Sequence, residues 1–293
     1  MSNEIQKEQN SYPPFSVAMS VYKNDSAKFF DRALNSILVE QSVLPSEVVL
    51  VVDGPVGEEI EQVIIDYIQK GFPIKEIRLK KNGGLGNALK IAVENCSNEL
   101  VARMDSDDVS VKDRFEKQLE ILKKDQAIDI VGGDITEFIG EEDNIVGLRS
   151  CPQTDIEIKS YMKKRCALNH VSVMFKKSAV LNVGNYQDWF CNEDYYLWIR
   201  MLKQGCCFVN TGTVLVNVRV GEEMYQRRGG LKYFNSEKAL QKFMLKNKII
   251  GFGTYCVNVI KRFIVQVLLP NKLRGWVFKK FARTKVKRGD NNG

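Results

Sequence analysis

The chain has 293 residues, 44% hydrophobic and 27% charged, a globular balance that excludes collagen, coiled coil and wholesale disorder. Its polar start carries no signal peptide, and no apolar run approaches the ~20 residues of a membrane span. The net charge of +7 is localised: ten basic side chains lie between Lys261 and Arg288 with Asp290 the one acid beyond Cys256, while residues 1–255 hold 33 basic and 35 acidic side chains. Seven cysteines without a Cys-x-x-Cys spacing read as reduced thiols of a cytosolic protein, not as a disulfide or zinc framework.

In chain order, Phe15–Val21 reads as a buried strand, followed by a turn at Lys23–Asp25 and a helix capped by Ser26. Pro45 ends that helix, and Glu47–Val52 is apolar on both faces, as a central parallel strand should be. A helix carrying Ile60, Ile64 and Tyr67 leads to a third strand, Ile74–Leu79. Asn82–Asn87 opens another helix, and Leu100–Met104 is a fourth strand running into Asp105-Ser-Asp-Asp108. Beyond it the pattern predicts a helix over Lys112–Lys124, a strand over Ile128–Gly132 and a turn-rich stretch over Asp134–Cys151. A strand over Asn169–Phe175, helices over Ser178–Asn182 and Glu193–Gln204, a helix near Lys232–Lys248 and the basic tail complete the chain.

Strict alternation of strand and helix implies right-handed crossovers and a parallel sheet covered on both faces. Ligands of such sheets bind at the carboxyl ends of the strands, so Tyr22, Asp53, Asn82–Gly84 and Asp105–Asp108 should meet in one crevice. Three carboxylates in Asp105–Asp108 repel one another unless a cation is shared, and hard oxygens suit Mg²⁺ or Mn²⁺; the bland alternative is a solvated turn capping the next helix. Gly84-Leu-Gly86 imitates a dinucleotide fingerprint but has Leu89 at the last position, so its glycines read as room for a nucleotide to approach the backbone. Glu193 and Asp194 open a helix, where acids often only complement the dipole. His170, the single histidine, reads as a packed residue, and Arg227-Arg228 as a loop that either binds phosphate or is simply solvated.

Together these segments resemble the inverting glycosyltransferases of family 2. The matching pieces run from Ser16–Tyr22 through Val49–Gly54, Asn82–Ala88, Ala102–Asp108, Asn169-His170, Val173–Phe175 and Asn192–Arg200. The later ones look most like the bacterial branch that assembles exopolysaccharide, capsule or O-antigen units on a lipid carrier. The resemblance implies an α/β GT-A fold, a mostly parallel sheet flanked by helices with a C-terminal helical basic segment. Within it, residues 14–108 would bind the nucleotide sugar, 109–221 would hold the acceptor and base, and 222–293 would associate with membrane.

It also implies roles. Tyr22 would stack on uracil with Ser20 nearby, Asp53 would accept from the uracil ring N–H, and Gly83 and Gly84 would line the pocket. Val52 stands where the family usually carries a first acid. Asp105 would lie near the ribose and diphosphate, Asp107 would ligate Mn²⁺ or Mg²⁺ with Asp108 assisting, and Arg228 would help neutralise the diphosphate. Asp194 would be the general base and Glu193 would orient it or a sugar hydroxyl. The implied partners are a UDP-sugar, a polyprenyl-diphosphate-linked glycan and an anionic membrane surface on the cytoplasmic inner face, with no nucleic acid. Gln226-Arg-Arg-Gly229 departs from the Gln-x-x-Arg-Trp of processive relatives, implying addition of one sugar.

Two rivals fit less well. A nucleotidylyltransferase would need a Gly-rich loop and a basic residue after the first strand, where this chain has Val21-Tyr-Lys-Asn24. A nucleic-acid-binding protein would explain the tail but not an acidic crevice.

Overall fold

The computed structural model describes residues 12–221 and 229–270. Its first half alternates as the sequence predicts: β1 (Phe15–Val21), α1 (Ala27–Leu38), β2 (Glu47–Val52), α2 (Glu58–Gln69), β3 (Ile74–Arg78), α3 (Leu85–Asn95) and β4 (Leu100–Met104). After it come β5 (Val109–Ser110), α4 (Arg114–Lys124), β6 (Ile130–Phe138), β7 (Ile145–Arg149) and α5 (Asp155–Met162). Then follow β8 (Met174–Lys176), α6 (Lys177–Asn182), α7 (Glu193–Gln204), β9 (Phe208–Arg219), α8 (Gly230–Lys246) and α9 (Phe252–Phe263).

Among the described residues nine strands form one sheet, ordered β3-β2-β1-β4-β8-β6-β9-β5 with β7 beside β6. The first four strands in that order are parallel, β8 runs antiparallel to β4 and β6, and β6 and β9 are parallel. Both faces are covered, which is why the strands are continuously apolar. Val48, Leu50 and Val52 pack with α1, α2 and α4, while Val49 and Val51 pack on the other face with α3, α5, α7 and α8. The four parallel strands end together on one side, and the site forms there.

Three elements differ from the sequence pattern. The predicted turn-rich stretch is largely strand, because β6 continues through Gly132, Gly133 and Asp134 to Phe138 and pairs with β7. Those glycines interrupt the apolar pattern for a packing reason: a Cβ on Gly132 would lie 2.3 Å from Asn210 Oδ1, and one on Gly133 2.5 Å from Leu215 Cδ1. Their neighbour β9, to which the sequence pattern assigns no element, is a twelve-residue strand with register shifts opposite Gly132–Ile135. Finally, Asn169–Phe175 is not one strand. A 3₁₀ turn covers His170–Ser172, where Ser172 Oγ donates to the Gly133 carbonyl at 3.0 Å and Gln118 Nε2 to the Ser172 carbonyl at 2.8 Å.

Candidate active site

A cleft of about 1410 Å³ opens at the carboxyl ends of the parallel strands. Ser20 and Tyr22 come from the end of β1, Asp53 from β2, Gly84 from the start of α3, and Asp105, Asp107 and Asp108 from the end of β4. The expected convergence is therefore present. The end of β9, Val218–Gly221, forms the opposite wall.

Asp53 is buried and holds the loop before α3. Its carboxylate accepts the Gly83 N–H at 2.6 Å, the Gly84 N–H at 2.9 Å and the Asn82 amide at 3.0 Å. Gly83 thus stands behind the cleft with its N–H committed to Asp53, while Gly84, at φ +84°, reaches the lining. Gly54 lets this loop approach. It sits at φ +86°, and a Cβ there would lie 2.6 Å from the Asn82 backbone nitrogen. Gly54→Ala should cost about 2–4 kcal/mol, combining left-handed strain with overpacking. Urea unfolding measures it; a loss below about 0.5 kcal/mol, the range of an inert surface change, would refute this account of the loop.

The acidic cluster has unequal members. Asp105 is clasped by both terminal nitrogens of Arg103, a buried side chain of β4. Asp107 faces solvent, yet burial of its carboxylate by neighbours and the charges of Asp105 and Asp25 push it up to about 6. Asp108 is buried, and desolvation with Asp105 and Asp107 alongside lifts it well above the usual carboxylate range. Its Oδ1 accepts the Arg219 N–H at 2.8 Å. Carboxylate oxygens of the three lie within 4.8 Å of one another. This arrangement fits a hard divalent cation: it supplies oxygens only, and the burial and mutual repulsion that raise Asp107 and Asp108 are what a dication would offset. With Asp105 engaged by Arg103, Asp107 and Asp108 are the principal candidate ligands.

Glu193 and Asp194 form the first turn of α7 and do not line this cleft. Glu193 is within electrostatic reach of its Arg103–Asp105 pair. Glu193 packs near Gly86 of α3, whose ideal Cβ would lie 3.5 Å from the Glu193 Cβ. Burial, then the charge of Asp194, push Glu193 up to about 7, with Arg103 opposing. Asp194 exerts its field on Arg149, Cys166 and Tyr186. His170 Nε2 meets the Tyr186 hydroxyl at 2.7 Å, and burial keeps this histidine neutral, so it is the packed residue the sequence suggests. Arg228 lies outside the described residues.

Sequence reasoning missed three charged residues of the site. Arg103 was legible in principle, since a lone arginine inside an apolar strand requires a partner. Asp25 accepts the Tyr22 N–H at 3.1 Å and the Ser106 hydroxyl at 2.7 Å, tying the β1 loop to the acidic cluster. Arg219 lies over the rings of Phe29 and Phe138, 3.8 and 4.6 Å from their centroids, and donates to the Asp107 carbonyl at 3.2 Å. It is the one cation among the described lining residues, and nothing local in Asn217-Val-Arg-Val220 marks it.

The comparisons with known proteins converge. The glycosyl transferase family 2 profile matches residues 16–189. The chain is 37% identical over 271 residues to an Escherichia coli UDP-Gal:alpha-D-GlcNAc-diphosphoundecaprenol beta-1,3-galactosyltransferase, covering 92% of this chain and 97% of that one. It is 33% identical over 266 residues to the amylovoran biosynthesis glycosyltransferase AmsE of Erwinia amylovora, covering 91% of this chain and 98% of the relative. Among solved structures, residues 1–349 of S. aureus TarS with UDP-GlcNAc superpose at a TM-score of 0.64 and 15% identity, over 91% of this chain and 79% of TarS 1–349. The Pyrobaculum calidifontis mannosyltransferase PcManGT with GDP-Man and Mn²⁺ gives 0.61 at 13% identity, over 91% and 73%. Likeness at those identities is one of architecture, the GT-A fold. With a strand-end cleft rich in carboxylates and a family match over most of the sheet, the chain belongs to glycosyl transferase family 2 and is a glycosyltransferase.

Proposed function

We propose that the enzyme moves one galactose from UDP-galactose to a GlcNAc carried through a diphosphate on a polyprenyl lipid, in the assembly of a bacterial surface polysaccharide. The observation that carries this reading is 37% identity across 97% of a galactosyltransferase named for that donor and acceptor. In this reading Tyr22 stacks on uracil beside Ser20, Asp53 accepts from the uracil N–H with a lone pair its loop leaves over, and Asp105 faces the ribose and diphosphate. Asp107 and Asp108 hold Mg²⁺ or Mn²⁺, which when bound supplies neutralising charge for the diphosphate leaving group. Arg228 is proposed to add to that charge. Asp194 takes the proton of the acceptor hydroxyl as its oxygen bonds to the anomeric carbon and the bond to the diphosphate oxygen breaks, inverting that centre. Glu193 positions Asp194. The test is UDP release and product mass with UDP-galactose, UDP-glucose and UDP-N-acetylhexosamines: galactose transfer dependent on the acceptor supports the proposal, and no transfer from any of them overturns it.

The carboxyl pair gives a pH prediction. Glu193, at about 7 instead of 4.5, takes up its proton near neutrality. We expect kcat/KM to fall as pH drops below about 7, and Glu193→Gln to abolish that limb while lowering the plateau by up to about 10². An identical acid limb in the variant would assign it to another group.

No helix among the described residues is long and apolar enough to cross a membrane. Phe252, Val257, Ile260, Ile264 and Leu268 nevertheless stand between 45% and 71% exposed on and just beyond α9, flanked by Lys261 and the basic run of residues 272–288, which lies outside the described residues. This supports peripheral attachment to anionic lipid on the cytoplasmic face of the membrane. Ile260→Asp with Ile264→Asp should leave most of the protein in the supernatant when anionic vesicles are sedimented at low salt. Wild-type sedimentation of that variant would remove the helix from the contact.

A further inference from the structure

A second cleft, of about 820 Å³, lies between α5 and the segment that precedes it. Gln153, Ile156, Ser160, Tyr161 and Lys164 are among its walls. We propose that this cleft is the acceptor subsite, taking a sugar joined through a diphosphate to a lipid, with Tyr161 as the platform for the sugar and Lys164 facing the diphosphate. The inference rests on the glycosyltransfer reading above and adds to it a place and a set of residues.

Two consecutive acids open α7, and their charges reach partly different neighbours, with Tyr186 common to both. Glu193 neighbours Gly86 and the Arg103–Asp105 pair, on the side of the large cleft. Asp194 acts on Arg149 and Cys166 instead. Arg149, at the end of β7, donates to the Cys166 carbonyl at 3.2 Å and is within electrostatic reach of Cys151 and Tyr161, both in the wall of the second cleft. The charge of Asp194 thus reaches the flank of the second cleft. An inverting displacement needs an acceptor opening away from the leaving group, because the attacking oxygen must reach the anomeric carbon from the side opposite the diphosphate, with the base beside it. The nucleotide fills the strand-end cleft. The acceptor is placed in the second opening because the start of α7 lies against the helix that walls it: Tyr195, the residue after Asp194, donates its hydroxyl to the Met162 carbonyl at the end of α5.

The chemistry of the walls fits in order along one direction. Tyr161 exposes its ring, and an aromatic face accepts the apolar C–H face of a hexose while Gln153 and Ser160 offer hydrogen bonds to its hydroxyls. Lys164 is exposed and makes no ion pair among the described residues, so its ammonium is available to a diphosphate. The one acid in the wall, Glu157, is turned back into a capping box, accepting from the Thr154 hydroxyl at 2.8 Å and the Thr154 N–H at 3.2 Å. Immediately beyond Lys164 lies α9, where Asn258 Nδ2 donates to the Lys163 carbonyl and Arg262 to the Lys164 carbonyl, both at 2.9 Å. Sugar, diphosphate and lipid thus meet an aromatic ring, a cation and an apolar helix in the sequence in which they are joined.

The experiment is calorimetry with a farnesyl diphosphate ester of α-D-GlcNAc as probe, in the presence of UDP and Mn²⁺. The wild-type protein should bind the probe, and Lys164→Glu and Tyr161→Ala should each weaken it at least tenfold. Tyr161→Phe should restore binding, and the affinity for UDP should be the same in all four proteins. Both side chains are exposed, so unchanged melting curves confirm that the fold is intact. Variants that bind the probe as the wild type does, or a wild type that does not bind it, overturn the proposal. Slow release of UDP from UDP-galactose without acceptor separates the two levels: if it persists while the probe is ignored, the donor reading stands and only the acceptor cleft falls.

Discussion

Asp107→Ala should reduce transfer by about 10³ or more, because metal-ion neutralisation of a leaving group is worth several kcal/mol of barrier. The fold should not suffer. Asp107 is already lifted to about 6 by burial and by Asp105 and Asp25, and an acid whose folded-state pKa is raised weakens the folded state increasingly as pH rises from its ordinary value of 3.8, and fully above about 6. At pH 7.5 its removal takes away repulsion, so the metal-free variant should melt at the wild-type temperature or slightly above. Mn²⁺ should raise the melting point of the wild type and leave the variant unmoved. A variant that keeps wild-type kcat with Mn²⁺, or a wild type fully active in chelator, would dismiss the cation role of this cluster.

The second large effect belongs to Asp194→Asn, which keeps the shape and removes the proposed base. General-base catalysis contributes roughly 10²–10⁴, and kcat should fall by that factor. UDP affinity should hold, since Asp194 does not line the nucleotide cleft and acts on Arg149 and Cys166 behind it. The alternative outcome is sharp: if calorimetry finds UDP binding lost while transfer survives, Asp194 serves the donor and the acceptor needs another base. Glu193→Gln, by contrast, changes the pH profile more than the maximum rate.

The sequence was most readable where local pattern and tertiary role coincide. β1, β2 and β4 are apolar runs because both sheet faces are covered, and their last residues reach the cleft because parallel strands end together. It was least readable where a role depends on a partner far along the chain. Gly132 and Gly133 mark the end of the predicted strand, and only Asn210 and Leu215, set against them, show why the strand runs on. β9 is polar in its first half since the Asn210 side chain bonds the Pro152 and Ala167 carbonyls, a use no period of two announces. Asp53 was expected only to meet a base, and it also holds three N–H groups of a loop 29–31 residues away. Arg219 reaches the acidic cluster across a separation of 111 residues. The second cleft has no motif because its walls are ordinary side chains of α5 and of the segments on either side of it.

The fastening of α9 has a mechanical consequence. Asn258 bonds both the Lys163 carbonyl and the Gln241 side chain, while Arg262 is ion-paired with Glu237 of α8 and bonds the Lys164 carbonyl. Attachments at two levels of one helix, to two different elements, leave no pivot between the helix and the catalytic body. When the apolar side of α9 rests on a bilayer, the altitude and tilt of both clefts above that plane are set by the protein and not by thermal wagging of a tether. On the proposed membrane mounting and base, acceptors would be sorted by reach: a hydroxyl one sugar above the lipid phosphates would arrive at Asp194, and the same hydroxyl on a longer glycan would overshoot it. The enzyme would gauge chain length with its mounting, before any contact with the terminal sugar.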